Sequence, residues 1–231
     1  MKKSVIVTGA AGHMGQAVVK QLLASGHSVA GTSLPHETTD ELEEYEHFRR
    51  YEIDVSDPQA AQSFIEEVAN KQGKINFAAL LVGGFSMSSL TESSLSDIRK
   101  MIHLNFETAF VMAQAVFRQM QKQQDGGHIL LVGAKPALEK GASKGLTPYF
   151  LSKKLVFALA ENINAEGADH SIRASVIVPS VLDTPPNREA MPDADFSKWV
   201  SPEQVASVVD FLVSDQASAL RDTVIKLYAD S

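Results

Sequence analysis

Seven short runs of β-branched and apolar residues recur along the chain, at 4–8, 28–33, 50–55, 75–82, 128–132, 172–178 and 223–228. Several are nearly continuous and do not alternate with polar residues, which is the pattern of strands covered on both faces. Between them, apolar residues fall at helical spacing, predicting helices over 14–24, 58–70, 97–121, 148–166 and 202–213. Strand–helix alternation throughout builds right-handed βαβ units. The expected fold is therefore α/β, a seven-stranded, doubly wound parallel sheet with helices on both faces. One domain over 1–231 suits the length, with no linker, repeat or low-complexity stretch. The longest irregular segment, 179–199, contains Pro179, Pro185, Pro186 and Pro192, which are expected to block regular structure. Following a strand, it belongs at the carboxyl edge of the sheet, where such folds bind ligands. A loop of this length, carrying Phe196 and Trp199, predicts a substrate lid at about 179–200.

Composition narrows the chemistry. With no cysteine, thiol catalysis, cysteine-ligated zinc and a disulfide framework are all excluded. No metal site is expected. A net charge of −7 argues against non-specific nucleic-acid binding. The acidic stretch 40–46 reads as a solvated helix face. No apolar run reaches the roughly 20 residues of a membrane span. The opening Met1-Lys2-Lys3 leads straight into Ser4-Val5-Ile6-Val7, too short for a signal-peptide core. A cytoplasmic protein acting on a small molecule is expected.

The first strand ends in Thr8-Gly9-Ala10-Ala11-Gly12-His13-Met14-Gly15 and passes into a helix. Gly9, Gly12 and Gly15 let the turn tighten, a pyrophosphate approach the backbone, and the helix pack on the strand, while the helix dipole faces the anion. A dinucleotide is the expected ligand. The second strand ends Gly31-Thr32-Ser33-Leu34, without the acid that would bind the adenosine ribose of NAD. Thr32 and Ser33 can donate to a 2′-phosphate, and His13 or His36 can add positive charge. This tips the expectation slightly towards NADP. It goes no further because no arginine stands at the strand tip, and NAD stays open. Asp54 can accept from the adenine amino group or cap the next helix, although Ser56 and Asp57 are better placed to cap.

Tyr149 and Lys153 lie four residues apart, after Thr147-Pro148, a good N-cap and first-turn proline. On a helix they share one face, one turn apart. A nearby ammonium favours the phenolate, so Tyr149 is expected below its ordinary value near 10, ready for proton transfer.

Taken together and in order, Thr8 to Gly15, Asn105, Tyr149 with Lys153, and Pro179 to Thr184 resemble the motifs of the short-chain dehydrogenases/reductases. The likeness covers nearly the whole chain and includes Phe211-Leu-Val-Ser-Asp-Gln-Ala-Ser218. It implies a Rossmann-type fold, an NAD(P) cofactor and a homodimer or homotetramer. Assembly would use the helices carrying Asn105 and Tyr149, with the edge strand at 223–228. It also implies that Lys153 reaches the nicotinamide ribose, that Asn105 serves structure and proton relay, and that Thr184 and the Val181 backbone hold the carboxamide.

Two departures stand out. The family's serine after the fifth strand is replaced by Ala134 in Val132-Gly133-Ala134-Lys135, leaving Ser143 and Thr147 as nearby hydroxyls. The usual Asn-Ala-Gly after the fourth strand reads Leu81-Val82-Gly83-Gly84, which places Gly83 beside the cofactor. Gly133-Ala134-Lys135 with Ala137-Leu138, and the run from Leu182-Asp183-Thr184-Pro185 to Trp199, resemble the dihydropteridine reductase branch. That branch also lacks the serine, and it reduces a quinonoid dihydropterin, an electron-poor substrate with less need of one. It carries an aspartate where this chain has Ser33. Asp183, Asn187, Arg188, Phe196 and Trp199 then become lid or substrate-wall candidates, and Ala134 part of the substrate site. Competing readings are a general carbonyl, alcohol or quinone reductase and a catalytically silent dinucleotide-binding sensor.

Overall fold

A computed structural model describes residues 2–229; Met1, Asp230 and Ser231, the ends of the expected 1–231 domain, lie outside the described residues. The strands are β1 (Ser4–Thr8), β2 (Ser28–Ser33), β3 (Phe48–Glu52), β4 (Phe77–Leu80), β5 (Gly127–Val132), β6 (Ile172–Pro179) and β7 (Thr223–Leu227). All pair in parallel, in the order β3-β2-β1-β4-β5-β6-β7. The chain order reverses between β1 and β4, and a crevice at that switch point is where such sheets bind ligands.

The helices are α1 (His13–Ala24), α2 (Asp40–Glu43), α3 (Pro58–Gln72), α4 (Leu95–Ile102), α5 (Thr108–Gln121), α6 (Lys135–Leu138), α7 (Thr147–Gly167), α8 (Pro185–Ala190) and α9 (Pro202–Val213). β1 shows why the strands read as continuous apolar runs. Val5 and Val7 join the core under α1 and α9, while Ile6 joins the core under α3, α5 and α7. All three are fully buried, because alternate side chains face opposite, equally covered layers.

Four expectations change. The helix expected over 97–121 begins at Leu95, where Ser94 and Asp97 form a capping box, and is broken by a π-turn at His103–Glu107. The segment 179–199 is not without regular structure: Pro185 and Pro186 open α8, since a first turn has no need of their amides. Phe196–Lys198 adds a 3-10 turn. In the acidic stretch 40–46, only 40–43 is helical, and Leu42 is buried. Thr147 is not the N-cap of α7; Leu146 is, and the Thr147 amide donates to Ser88 O at 2.9 Å.

His128 on β5 gives the fold an acid sensitivity. Its ring lies edge-on to Phe77 at 4.9 Å and its Nε2 is 2.9 Å from Ser175 Oγ. Burial, reinforced by Arg173, pushes it down to about 3 from 6.5. Between those values the unfolded chain binds the extra proton, so this contribution to stability is lost as pH falls from about 6.5 towards about 3. Urea midpoints should drop from pH 7 to pH 5, and His128→Asn should flatten that dependence.

Candidate active site

The turn after β1 is held before any ligand arrives. Gly9 sits at φ +69°, a conformation L side chains rarely adopt. Ala10 N donates to Thr32 O at 2.8 Å, and Thr8 Oγ1 accepts from Leu81 N at 2.9 Å, so the tips of β2, β1 and β4 are tied together. A Cβ on Gly15 would lie 2.0 Å from Gly9 O, which makes glycine obligatory for packing the helix on the turn. A Cβ on Gly12 would meet only Gly9 O, at 3.5 Å, an ordinary contact. The fold does not require glycine there, whereas close approach of a phosphate does. The first turn of α1, starting at His13 and Met14, has neither a side-chain cap nor an acidic residue. Its amides and dipole suit a pyrophosphate.

At the opposite wall, α7 carries Tyr149 and Lys153 into a cavity of about 620 Å³ whose lining includes Met14, Gly83, Ala134, Val181 and Asn187. Lys153 is buried, and its Nζ donates to Val132 O at 2.8 Å at the end of β5. Burial pushes it down to about 8. Tyr149 departs from its expected shift: burial pushes the phenol up to about 12. The lysine is turned towards a carbonyl and both groups are desolvated, so the phenol is held protonated. Phe85 packs edge-on to Tyr149 at 5.0 Å.

Asn105 lies in the π-turn and is buried. Its Oδ1 accepts from Gly84 N at 2.9 Å, while Nδ2 donates to Gly84 O and to Ser152 Oγ, each at 3.1 Å. Ser152 Oγ in turn donates to Tyr149 O at 2.8 Å. Asn105 therefore ties the loop after β4 to α7, the helix that carries Tyr149 and Lys153. A Cβ on Gly83 would fall 2.6 Å from Asn105 Oδ1 and 3.3 Å from Lys153 Nζ, so the three converge.

Ala134 is buried where the family's serine is expected. Ser143 and Thr147 are not among the cavity residues. In the segment after β6, Asn187 Nδ2 donates to Leu182 O at 2.8 Å, and Val200 N donates to Val181 O at 3.0 Å. Thr184 is buried at the start of α8. Asp183 holds Arg188 through two side-chain hydrogen bonds. Phe196 and Trp199 pack at a tilt, with ring centroids 4.8 Å apart, and do not line the cavity. Arg188 covers the Phe196 ring at 4.9 Å. They are packing anchors of the segment after β6.

Ser33 and Asp54 stand at the tips of β2 and β3, away from the cavity. Asp54 Oδ1 accepts from Ser56 N and Oγ, which keeps the carboxyl below its usual range, and Asp57 caps α3. Reading along the chain missed Phe85, whose only signal is an aromatic residue after two glycines. It also missed Arg50, which reaches Ser33 from the neighbouring strand.

The family model for short chain dehydrogenases matches residues 3–195. The chain belongs to the short-chain dehydrogenase/reductase family. The 3-oxoacyl-[acyl-carrier-protein] reductase MabA of Mycobacterium tuberculosis strain H37Rv is 28% identical over 233 residues, covering 97% of this chain and 91% of its own. The corresponding FabG of Thermotoga maritima is 26% identical, with 96% and 95% covered. L-rhamnose 1-dehydrogenase (NAD(P)(+)) of a Sphingomonas strain is 26% identical over 71% of this chain and 68% of its own. NAD⁺-bound xylitol dehydrogenase superposes with a TM-score of 0.87 at 21% identity, covering 98% of each chain, and supports the fold. The chain is thus an NAD(P)-dependent oxidoreductase. No helix among the described residues is long and apolar enough to cross a membrane.

Proposed function

We propose that this short-chain reductase acts on a conjugated, electron-poor substrate such as a quinonoid dihydropterin, with Tyr149 as the proton donor. The observation that carries the reading is Ala134, buried at the cavity wall where a serine would polarise a plain carbonyl. A substrate already short of electrons accepts a hydride without that donor. When bound, reduced nicotinamide supplies the hydride from its C4 position. Tyr149 releases its phenolic proton to the reduced substrate, which balances the two-electron reduction. Gly9, Gly12 and the first turn of α1, with His13 and Met14, hold the pyrophosphate; Ser33 and Asp54 face the adenosine; Gly83, Lys153, Val181 and Thr184 hold the nicotinamide end. Ala134, Asn187 and the largely apolar wall around Phe85 receive the substrate.

The second reading, a plain ketone reductase, is favoured by relatives whose names specify 3-oxoacyl-[acyl-carrier-protein] reduction. Purified protein is mixed with NADH or NADPH and, separately, a freshly generated quinonoid dihydropterin, quinones and 3-oxoacyl thioesters, and nucleotide absorbance is followed. Turnover of the pterin above the thioesters is expected. Thioester turnover without pterin turnover overturns the substrate assignment and leaves the family standing. Ala134→Ser is expected to raise ketone turnover by up to about 10²–10³-fold, the range one oxyanion donor contributes, and to leave the pterin rate little changed. Assembly into a homodimer or homotetramer is proposed through α5 and α7, where Phe110 and Leu151 are exposed.

A further inference from the structure

The tip of β2 carries no acid along the chain, but three carboxylates gather there in space. Arg50 pairs with Gly31 across the β2–β3 ladder, and its Nε donates to Ser33 Oγ at 2.8 Å. Its Nη2 donates to Glu37 O at 2.6 Å and Leu34 O at 3.4 Å. Glu52 lies 3.1 Å from one guanidinium nitrogen and Glu43 lies 3.6 Å from another, and the Arg50 side chain is only 18% exposed. The guanidinium is therefore occupied, as a clamp on the loop after β2. Glu37 folds back along that loop, and its Oε2 accepts from Leu34 N at 2.8 Å, one residue past the strand tip.

Glu43 and Glu52 face the guanidinium and the Glu37 carboxylate lies on the adjoining loop, so these four side chains together carry an excess of two negative charges. The same corner is fixed against the phosphate turn: Ala10 N bonds Thr32 O, and a Cβ on Gly31 would meet Ala10 Cβ at 2.7 Å. A dinucleotide seated on α1 therefore brings its adenosine ribose to this tip. A ribose diol can donate to a carboxylate there. A 2′-phosphate, with about two negative charges at neutral pH, meets like charge and an arginine already engaged.

We propose that Glu37 supplies from the loop the ribose-binding carboxylate missing from the end of β2, and that with Glu43 and Glu52 it selects NAD(H) over NADP(H). The proposal rests on the nucleotide-dependent reading above and weighs against the slight tilt towards NADP drawn from the strand alone.

The test needs no substrate. NADH and NADPH are titrated separately into the full-length protein, with nicotinamide fluorescence as the readout. NADH is expected to bind about tenfold more tightly or better, the discrimination that like-charge juxtaposition supplies. Glu37→Gln should narrow that ratio, weakening NADH and tightening NADPH. Glu43→Gln with Glu52→Gln should tighten NADPH without weakening NADH, a check that does not disturb the Glu37 turn. Tighter binding of NADPH by the unaltered protein overturns the proposal, as does a ratio unchanged in Glu37→Gln. So does an Arg50→Leu variant that loses NADPH alone, since the guanidinium would then be the phosphate grip. Binding of neither nucleotide overturns the dinucleotide reading itself, and this proposal with it.

Discussion

Replacing Tyr149 with phenylalanine is expected to lower turnover by about 10²–10⁴-fold, the range contributed by a positioned general acid, with nucleotide affinity little changed. The ring stays, so the edge contact with Phe85 and the start of α7 survive; only the hydroxyl goes. With the phenol pushed up to about 12, it remains protonated throughout the neutral range and serves reduction as a donor. The alkaline limb of the reductive pH profile should then belong to Lys153. Its ammonium is pushed down to about 8, so the cation proposed to hold the nicotinamide end is lost as pH rises through that value. Steady-state rates of reduction between pH 6 and pH 10 check both statements. Lys153→Met should remove the limb near 8, and Tyr149→Phe should keep it at a much lower rate. A chain serving only as a nucleotide sensor would bind both nucleotides, turn over nothing, and be indifferent to the tyrosine.

The strands β1, β2, β4, β5 and β6 were legible because each is buried on both faces, but strand ends were not, since apolar residues beyond a strand also serve the core. The run 75–82 narrows to Phe77–Leu80 for this reason. Ile75 gives its amide and carbonyl to the Gln123 side chain, and the Leu81 amide goes to Thr8 Oγ1. β3 lies at Phe48–Glu52 because Val55, although buried, packs in the core beyond the strand. No proline or glycine marks the π-turn at Asn105; its side chain is anchored to Gly84, twenty-one residues away, a contact that no local pattern encodes. The glycine turn and the Tyr149–Lys153 pair were legible because each is contiguous or one helical turn long. Arg50 with Ser33, and Phe85 with Tyr149, depend on parallel pairing and loop packing between distant segments, so spacing along the chain carried no sign of them. The depressed phenol expected from a lysine one turn away failed on orientation, because Lys153 Nζ faces Val132 O.

Gly15→Ala should weaken nucleotide binding and lower turnover by about 10²-fold, the loss that a misplacement of roughly an ångström can cause, and should also destabilise the fold by about 1–3 kcal/mol as an overpacked contact. The added Cβ would fall 2.0 Å from Gly9 O and 2.9 Å from Gly9 C, both backbone atoms with no rotamer to yield. Relief requires α1 to lift from the turn, and its first amides move with it. Gly12→Ala isolates the other half of the argument. Its Cβ would meet Gly9 O at an ordinary 3.5 Å, so the urea midpoint should barely move while nucleotide binding still falls. Equal loss of stability in both variants would mean that the glycines serve the turn alone. Binding lost at Gly12 without loss of stability places the phosphates against this backbone, because only a ligand then needs the space that the missing side chain leaves.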